Sequence, residues 1–212
     1  MNSNFTRAEI KAQAREQLKG KVWMLFLVTL IIFGISLALA FIPVVGTIAL
    51  YVITPPLSIG MIYIYLDVTY GDEVEINRLF DGFKMTGKSI ALFLWMLLFI
   101  FLWSLLFYIP GIIKAYSYSM AFYILAENPD MTAREALNES KLIMNGHKWE
   151  YFVLSLSFIL WILLVMVTFG LAAIYVEPYI QLTTTNFYHN IKRQPAPVAE
   201  EVYAEPAAEV VE

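Results

Sequence analysis

Three long apolar stretches dominate the chain, and each begins in the same way. "LKGKVWMLFLV" at 18, "MTGKSIALFLW" at 85 and "MNGHKWEYFVL" at 144 each pass from a short helix end, through a glycine and a nearby lysine, into an apolar run. About 23 residues after each glycine stands a breaker: Pro43, Pro110 with Gly111, and Gly170. Gly20 and Gly87, like Pro43 and Pro110, are 67 positions apart, so the first two units match in register. The third is shorter and lacks the proline. A repeated plan of this kind predicts one supersecondary unit used three times, here a helical hairpin. Between Lys21 and Asp67 no residue is charged, a run of 45 positions. One membrane helix needs about 20 apolar residues, so this run holds two spans back to back.

The pattern therefore predicts an all-α, polytopic membrane helix bundle of about six transmembrane helices arranged as three hairpins. The expected spans are 22–42, 44–66, 89–109, 111–126, 151–172 and 173–190. The fourth is short, and the sixth ("IYVEPYIQLTTTNFYHN") is polar and carries Pro178. Four full spans with two half-inserted segments is the structural alternative. The first apolar run starts behind a polar, helix-like segment, which predicts a retained span rather than a cleaved signal peptide.

An amphipathic interfacial helix is expected before each hairpin. In the first, Ile10, Ala14 and Leu18 recur every four residues with Arg7, Lys11 and Arg15 alongside, and Glu9 and Glu16 fall on the far face. Bases flanking an apolar stripe suit a helix lying on lipid, and packing on the bundle suits it equally. The second puts Ile76, Leu79, Phe80 and Phe83 on one face. The third opens on "TARE", Thr132 and Glu135 in capping-box spacing, uses Leu137, Ser140 and Met144 as its apolar side, and ends at "NG", 145–146.

Charge orients the array. Thirteen of the fourteen Lys and Arg residues precede the first span, lie in the two long loops or follow the last span. All of these positions share one side if the passes number six, and the positive-inside rule makes that side cytoplasmic. The expected location is a membrane, multi-pass, with both termini cytoplasmic. Composition agrees: 59% of the 212 residues are hydrophobic and 15% charged, far from a soluble domain. Residues 1–193 form the predicted membrane domain. Residues 194–212 carry five Glu, three Pro and no base, and read as a disordered acidic cytoplasmic tail.

The candidate chemistry is sparse. Lys114 and Glu177 are the two charges inside apolar regions, opposite in sign and similar in depth, and form a candidate intramembrane ion pair or anion site. Headgroup contact by Lys114 and a wet turn around Glu177 is the simpler alternative. Pro55 and Pro56 break the second span, flanked by Thr54 and Ser58, and free carbonyls that a neighbour or a ligand can use. Tyr116 and Tyr118 in "YSYSM" suit helix contacts or a polar cavity. Catalytic, cofactor-binding and metal residues are not expected. The chain has no cysteine, and His147 and His189 lack ligand spacing. Glu127, Asp130 and Glu150 read as solvated border acids.

"IPGIIKAYSYSMAFYILAENP", "AREALNESKLIMNGHKWEYFVLSLSFI" and "VEPYIQLTTTNFY" together resemble a family of bacterial integral membrane proteins, found mainly in Firmicutes and catalogued as domain of unknown function 975. The resemblance covers residues 5–193. It implies a multi-span protein of the cytoplasmic membrane and brings no activity or catalytic residue. Two function classes follow. The first is a non-enzymatic scaffold or regulator, with membrane lipids and a cytoplasmic protein as partners through loops or tail, and no nucleic acid. The second is a small-molecule or lipid transporter with a polar cavity near Pro55, Lys114, Tyr116 and Glu177. Whether those four groups face one interior space discriminates between them.

Overall fold

The computed structural model describes residues 5–42, 44–106 and 108–193. Pro43 and the predicted acidic tail lie outside the described residues. The fold is all-α. Four helices are long and apolar enough to cross a membrane: Val22–Ala40, Val45–Tyr70, Arg78–Leu105 and Lys148–Val167.

The polar segment before the first apolar run forms α1 (Arg7–Leu18). Thr6 caps it, with its hydroxyl accepting from the Glu9 amide while the Glu9 carboxylate accepts from the Thr6 amide. The predicted stripe Ile10, Ala14 and Leu18 is fully buried against α11 (Ala173–Lys192), so protein covers the face that also suited lipid. α2 (Val22–Ala40) and α3 (Val45–Tyr70) then lie side by side. In α3, Pro55 and Pro56 sit inside a continuous helix.

α4 (Arg78–Asp81), a 3₁₀ turn at Gly82–Met85 and α5 (Thr86–Leu106) run on as one rod that packs along α3. The expected single apolar face of this segment divides. Leu79 is buried on α3, whereas Phe80 and Phe83 stack on each other at the surface. The reason is a close backbone approach between α3 and the rod at Gly60 and Gly82. A methyl group at Gly60 would stand 1.8 Å from the Leu79 carbonyl oxygen, and one at Gly82 would stand 2.0 Å from that of Pro56.

The expected fourth and fifth spans are both interrupted. The fourth becomes α6 (Tyr108–Tyr118) and α7 (Ala121–Glu127). The fifth becomes α9 (Lys148–Leu156) and α10 (Ile159–Val167). Serines stand at both breaks: Ser119 donates to the Tyr116 carbonyl and Ser157 to that of Leu154, diverting the helical ladder locally. Pro110 falls within the first turn of α6, where a missing N–H is tolerated. α6 and α7 pack back along α5, and α10 packs on α11.

Between them α8 (Ala133–Ile143) has the predicted capping box, Thr132 with Glu135. Its apolar side Leu137, Ser140 and Met144 is buried against α5 and α7, and the Ser140 hydroxyl donates to the Ser117 carbonyl at 2.8 Å. α8 is thus wedged against the second hairpin by its whole apolar face.

α11 is buried along much of its length. Its Leu182, Thr183, Thr185, Asn186, Phe187 and Tyr188 are buried, and α1, α2, α3 and α10 all touch it. Its polar side chains are therefore shielded by protein. By contrast α2, α5 and α10 expose most of their large apolar residues, such as Phe33, Leu97, Phe101 and Leu160.

Candidate functional site

The sequence-predicted site residues do not gather in one place. Pro55 and Pro56 are buried, and their stretch of α3 faces Gly82 and the 3₁₀ turn. Ser58 turns back to the Thr54 carbonyl at 2.9 Å. The predicted helix break is instead a packing notch in a continuous helix, filled by the 3₁₀ turn at Gly82–Met85.

Lys114 lies on α6 with its Nζ 4.6 Å from the centre of the Trp103 ring on α5. Glu177, on α11, accepts from the Gln181 side chain at 3.0 Å. The two residues form no ion pair with each other. The rotation of α6 explains this: Ser117 and Tyr118 are directed to α8 and α5, which carries Lys114 to the α5–α8 side and away from α11.

Tyr116 contacts α9, edge-on to Tyr151 and Phe152 with ring centres 5.7 and 5.8 Å away. It lines an apolar groove of about 280 Å³ with Ile112, Ile113, Lys148, Trp149 and Phe152. Tyr118 is buried and sits 6.2 Å from Phe99 of α5. Both tyrosines thus serve helix–helix contacts.

One polar constellation corrects the sequence reading, which took Glu127 as a solvated border acid. Glu127, at the end of α7, has a side chain only 12% exposed. Its carboxylate accepts hydrogen bonds from Tyr70 at the end of α3 and from Tyr188 of α11, and it pairs with Lys192. His189 packs edge-on to Tyr70, ring centres 5.2 Å apart. Three elements from three parts of the chain therefore end on one carboxylate. Burial pushes the Glu127 carboxyl up, but the bonds from Lys192, Tyr188 and Tyr70 outweigh it and hold the group below its ordinary value. A nearby cleft of about 610 Å³ is lined by Tyr63, Arg78, Asp81, Lys84, Lys88 and Pro129. Arg78 spans it, bonded to Asp67 at 3.1 Å and Asp81 at 3.2 Å.

Among the described residues no group of three or more His, Asp or Glu is arranged to hold a metal ion.

Among the described residues the protein is thus all-α, with four helices long and apolar enough to cross a membrane and a half-buried carboxylate, Glu127, where α3, α7 and α11 meet. It belongs to the family described as protein of unknown function (DUF975), which matches residues 1–117 and 105–195. No curated protein and no solved structure matches it.

Proposed function

We propose that this chain is a multi-pass protein of the bacterial cytoplasmic membrane that organises or regulates a protein partner without catalysing a reaction. Six passes in three hairpins are supported by the pairing of α2 with α3, of α5 with α6 and α7, and of α10 with α11. In this reading α2, α5 and α10 turn their exposed apolar faces to lipid, and α11 tolerates its polar residues because protein surrounds it. The loops at 71–77 and 128–132 and both ends of the domain then share the cytoplasmic side, from which α8 reaches in along α5. The chain lacks cysteine, so single cysteines report topology cleanly. In intact cells an impermeant maleimide is expected to label Leu171→Cys but to reach Asp72→Cys only after permeabilisation. Labelling of Asp72→Cys in intact cells would overturn the orientation.

The observation that carries the functional reading is the dispersal of Pro55, Lys114, Tyr116 and Glu177 into four separate environments. A transport pathway needs polar groups that line one space, and these line none together. What the basic end offers instead is surface: the Arg78–Lys84–Lys88 cleft and the acidic flank of α8 at Asp130, Glu135 and Glu139. Both are chemistries for docking a soluble protein. Purification from cross-linked native membranes is expected to yield a stoichiometric protein partner that is lost when Lys84 and Lys88 are replaced by Glu. Recovery of the chain with a tightly held small molecule and no protein would favour the transporter instead.

A further inference from the structure

Two lysines, one on α6 and one on α8, meet the same face of α5, and among the described residues neither has a carboxylate partner. The Lys114 Nζ lies 4.6 Å over Trp103. The Lys141 Nζ, from α8, lies 5.6 Å from the Tyr118 ring and 5.9 Å from that of Phe99. Phe99 and Trp103 are one turn apart on α5, as are Lys114 and Tyr118 on α6, and Phe99 touches Tyr118. The two ammonium groups therefore occupy successive layers of the same seam, about one helical turn apart. Their charges act on each other: burial, then Lys114 and Arg134, push Lys141 below its ordinary value. Asn138 gives Lys141 one neutral acceptor at 3.0 Å.

Like charges on an apolar, aromatic bed are unfavourable unless an anion joins them. The surrounding surface says what kind. Trp103 is 38% exposed, and Leu102 beside it and Leu142 beside Lys141 are exposed apolar residues. Tryptophan beside lysine on an apolar surface is the combination found at lipid headgroup level. A basic pocket between helices fits a phosphate headgroup whose acyl chains lie along such a surface.

We infer that Lys114, Lys141 and Trp103 form a binding site for the phosphate of an anionic phospholipid. Lys114 and Lys141 neutralise the phosphate, and Trp103 seats the glycerol end of the lipid. This site rests on the membrane reading above and adds a specific ligand to it.

The test is native mass spectrometry of the full chain released from micelles doped with phosphatidylglycerol, with phosphatidylcholine, or with inorganic phosphate alone. Wild type is expected to retain one phosphatidylglycerol in preference to phosphatidylcholine. Lys114→Gln with Lys141→Gln is expected to bind it about 30-fold more weakly, from two lost lysine contacts. Lys114→Arg with Lys141→Arg should retain it, which separates lost charge from lost fold. Equal retention by the Gln pair, equal retention of phosphatidylcholine, or capture of inorganic phosphate in place of lipid would each overturn the assignment. Fractionation of the same cells keeps the readings apart. A chain that stays in the membrane pellet but shows no lipid preference removes this site only, whereas a chain in the soluble fraction removes the membrane reading itself.

Discussion

Alanine at Gly60 or at Gly82 is expected to destabilise the protein by about 3 kcal/mol, at the upper end of what overpacking costs. The two glycines face each other's helices with no side chain between. An added methyl would stand 1.8 Å from the Leu79 oxygen or 2.0 Å from the Pro56 oxygen, and both obstacles are backbone. A flexible side chain could move aside; a carbonyl in a helix cannot without displacing the helix. The neighbouring prolines sharpen the constraint. Pro55 and Pro56 have no N–H to return to the preceding turn, so α3 already lacks ladder bonds where α4 and the 3₁₀ turn press on it. Gly34→Ala is the control, because nothing lies within 4 Å of the added methyl, and it should be neutral or slightly stabilising. Unfolding of detergent-solubilised variants by a denaturing detergent measures all three. The Gly60, Gly82 double variant should cost less than the sum, since both methyls break one contact. Stability of both single variants within about 0.5 kcal/mol of wild type would show that the rod and α3 separate freely.

The long apolar helices were legible because a run of about 20 apolar residues has few alternatives. Their ends were also close: α2 starts at Val22 and α11 at Ala173, as read from pattern alone. The capping box at Thr132 was readable since its chemistry is local. The apolar stripe of α1 was visible too, but a stripe names no partner. Ile10, Ala14 and Leu18 would look the same against lipid as against α11. Pairing Lys114 with Glu177 used sign and depth, and omitted the rotation of α6 about its own axis, which is set by Tyr118 on Phe99 and Ser117 beside Ser140. Glu127, read as a solvated border acid, was the largest misreading. Its partners Tyr70, Tyr188 and Lys192 lie 57 to 65 positions away, so no short window contains them. The one available signal was that a tyrosine or a lysine stands at the same end of each of two other helices. Gly60 and Gly82 were silent for a related reason, since a glycine in a helix does not announce which backbone approaches it.

Removing the Glu127 carboxylate is expected to have an effect of similar size. Glu127→Ala should cost about 3 kcal/mol, because it leaves the Tyr70 and Tyr188 hydroxyls and a half-exposed lysine without their common acceptor. Lys192 is 47% exposed and regains water, so most of the loss falls on the tyrosines. Tyr70→Phe and Tyr188→Phe are each expected to cost about 1 kcal/mol, with a carboxylate still held by the remaining donors. Glu127→Gln should fall between these and alanine, since the amide oxygen accepts but carries no charge. The pH dependence has a definite sign. The folded carboxyl titrates below its ordinary value of 4.5, so its contribution is complete above that value and is lost as pH falls through the folded value. Wild type should therefore lose stability on acidification below about pH 4.5 more steeply than Glu127→Gln, which has no proton to gain there. Parallel acid profiles for the two proteins would mean that the carboxylate is already neutral, or solvated, in the folded chain. A steeper wild-type profile would instead identify Glu127 as the charge on which α3, α7 and α11 close. It would also make the joint of these three helices the place where a partner at the basic end could loosen or tighten the bundle.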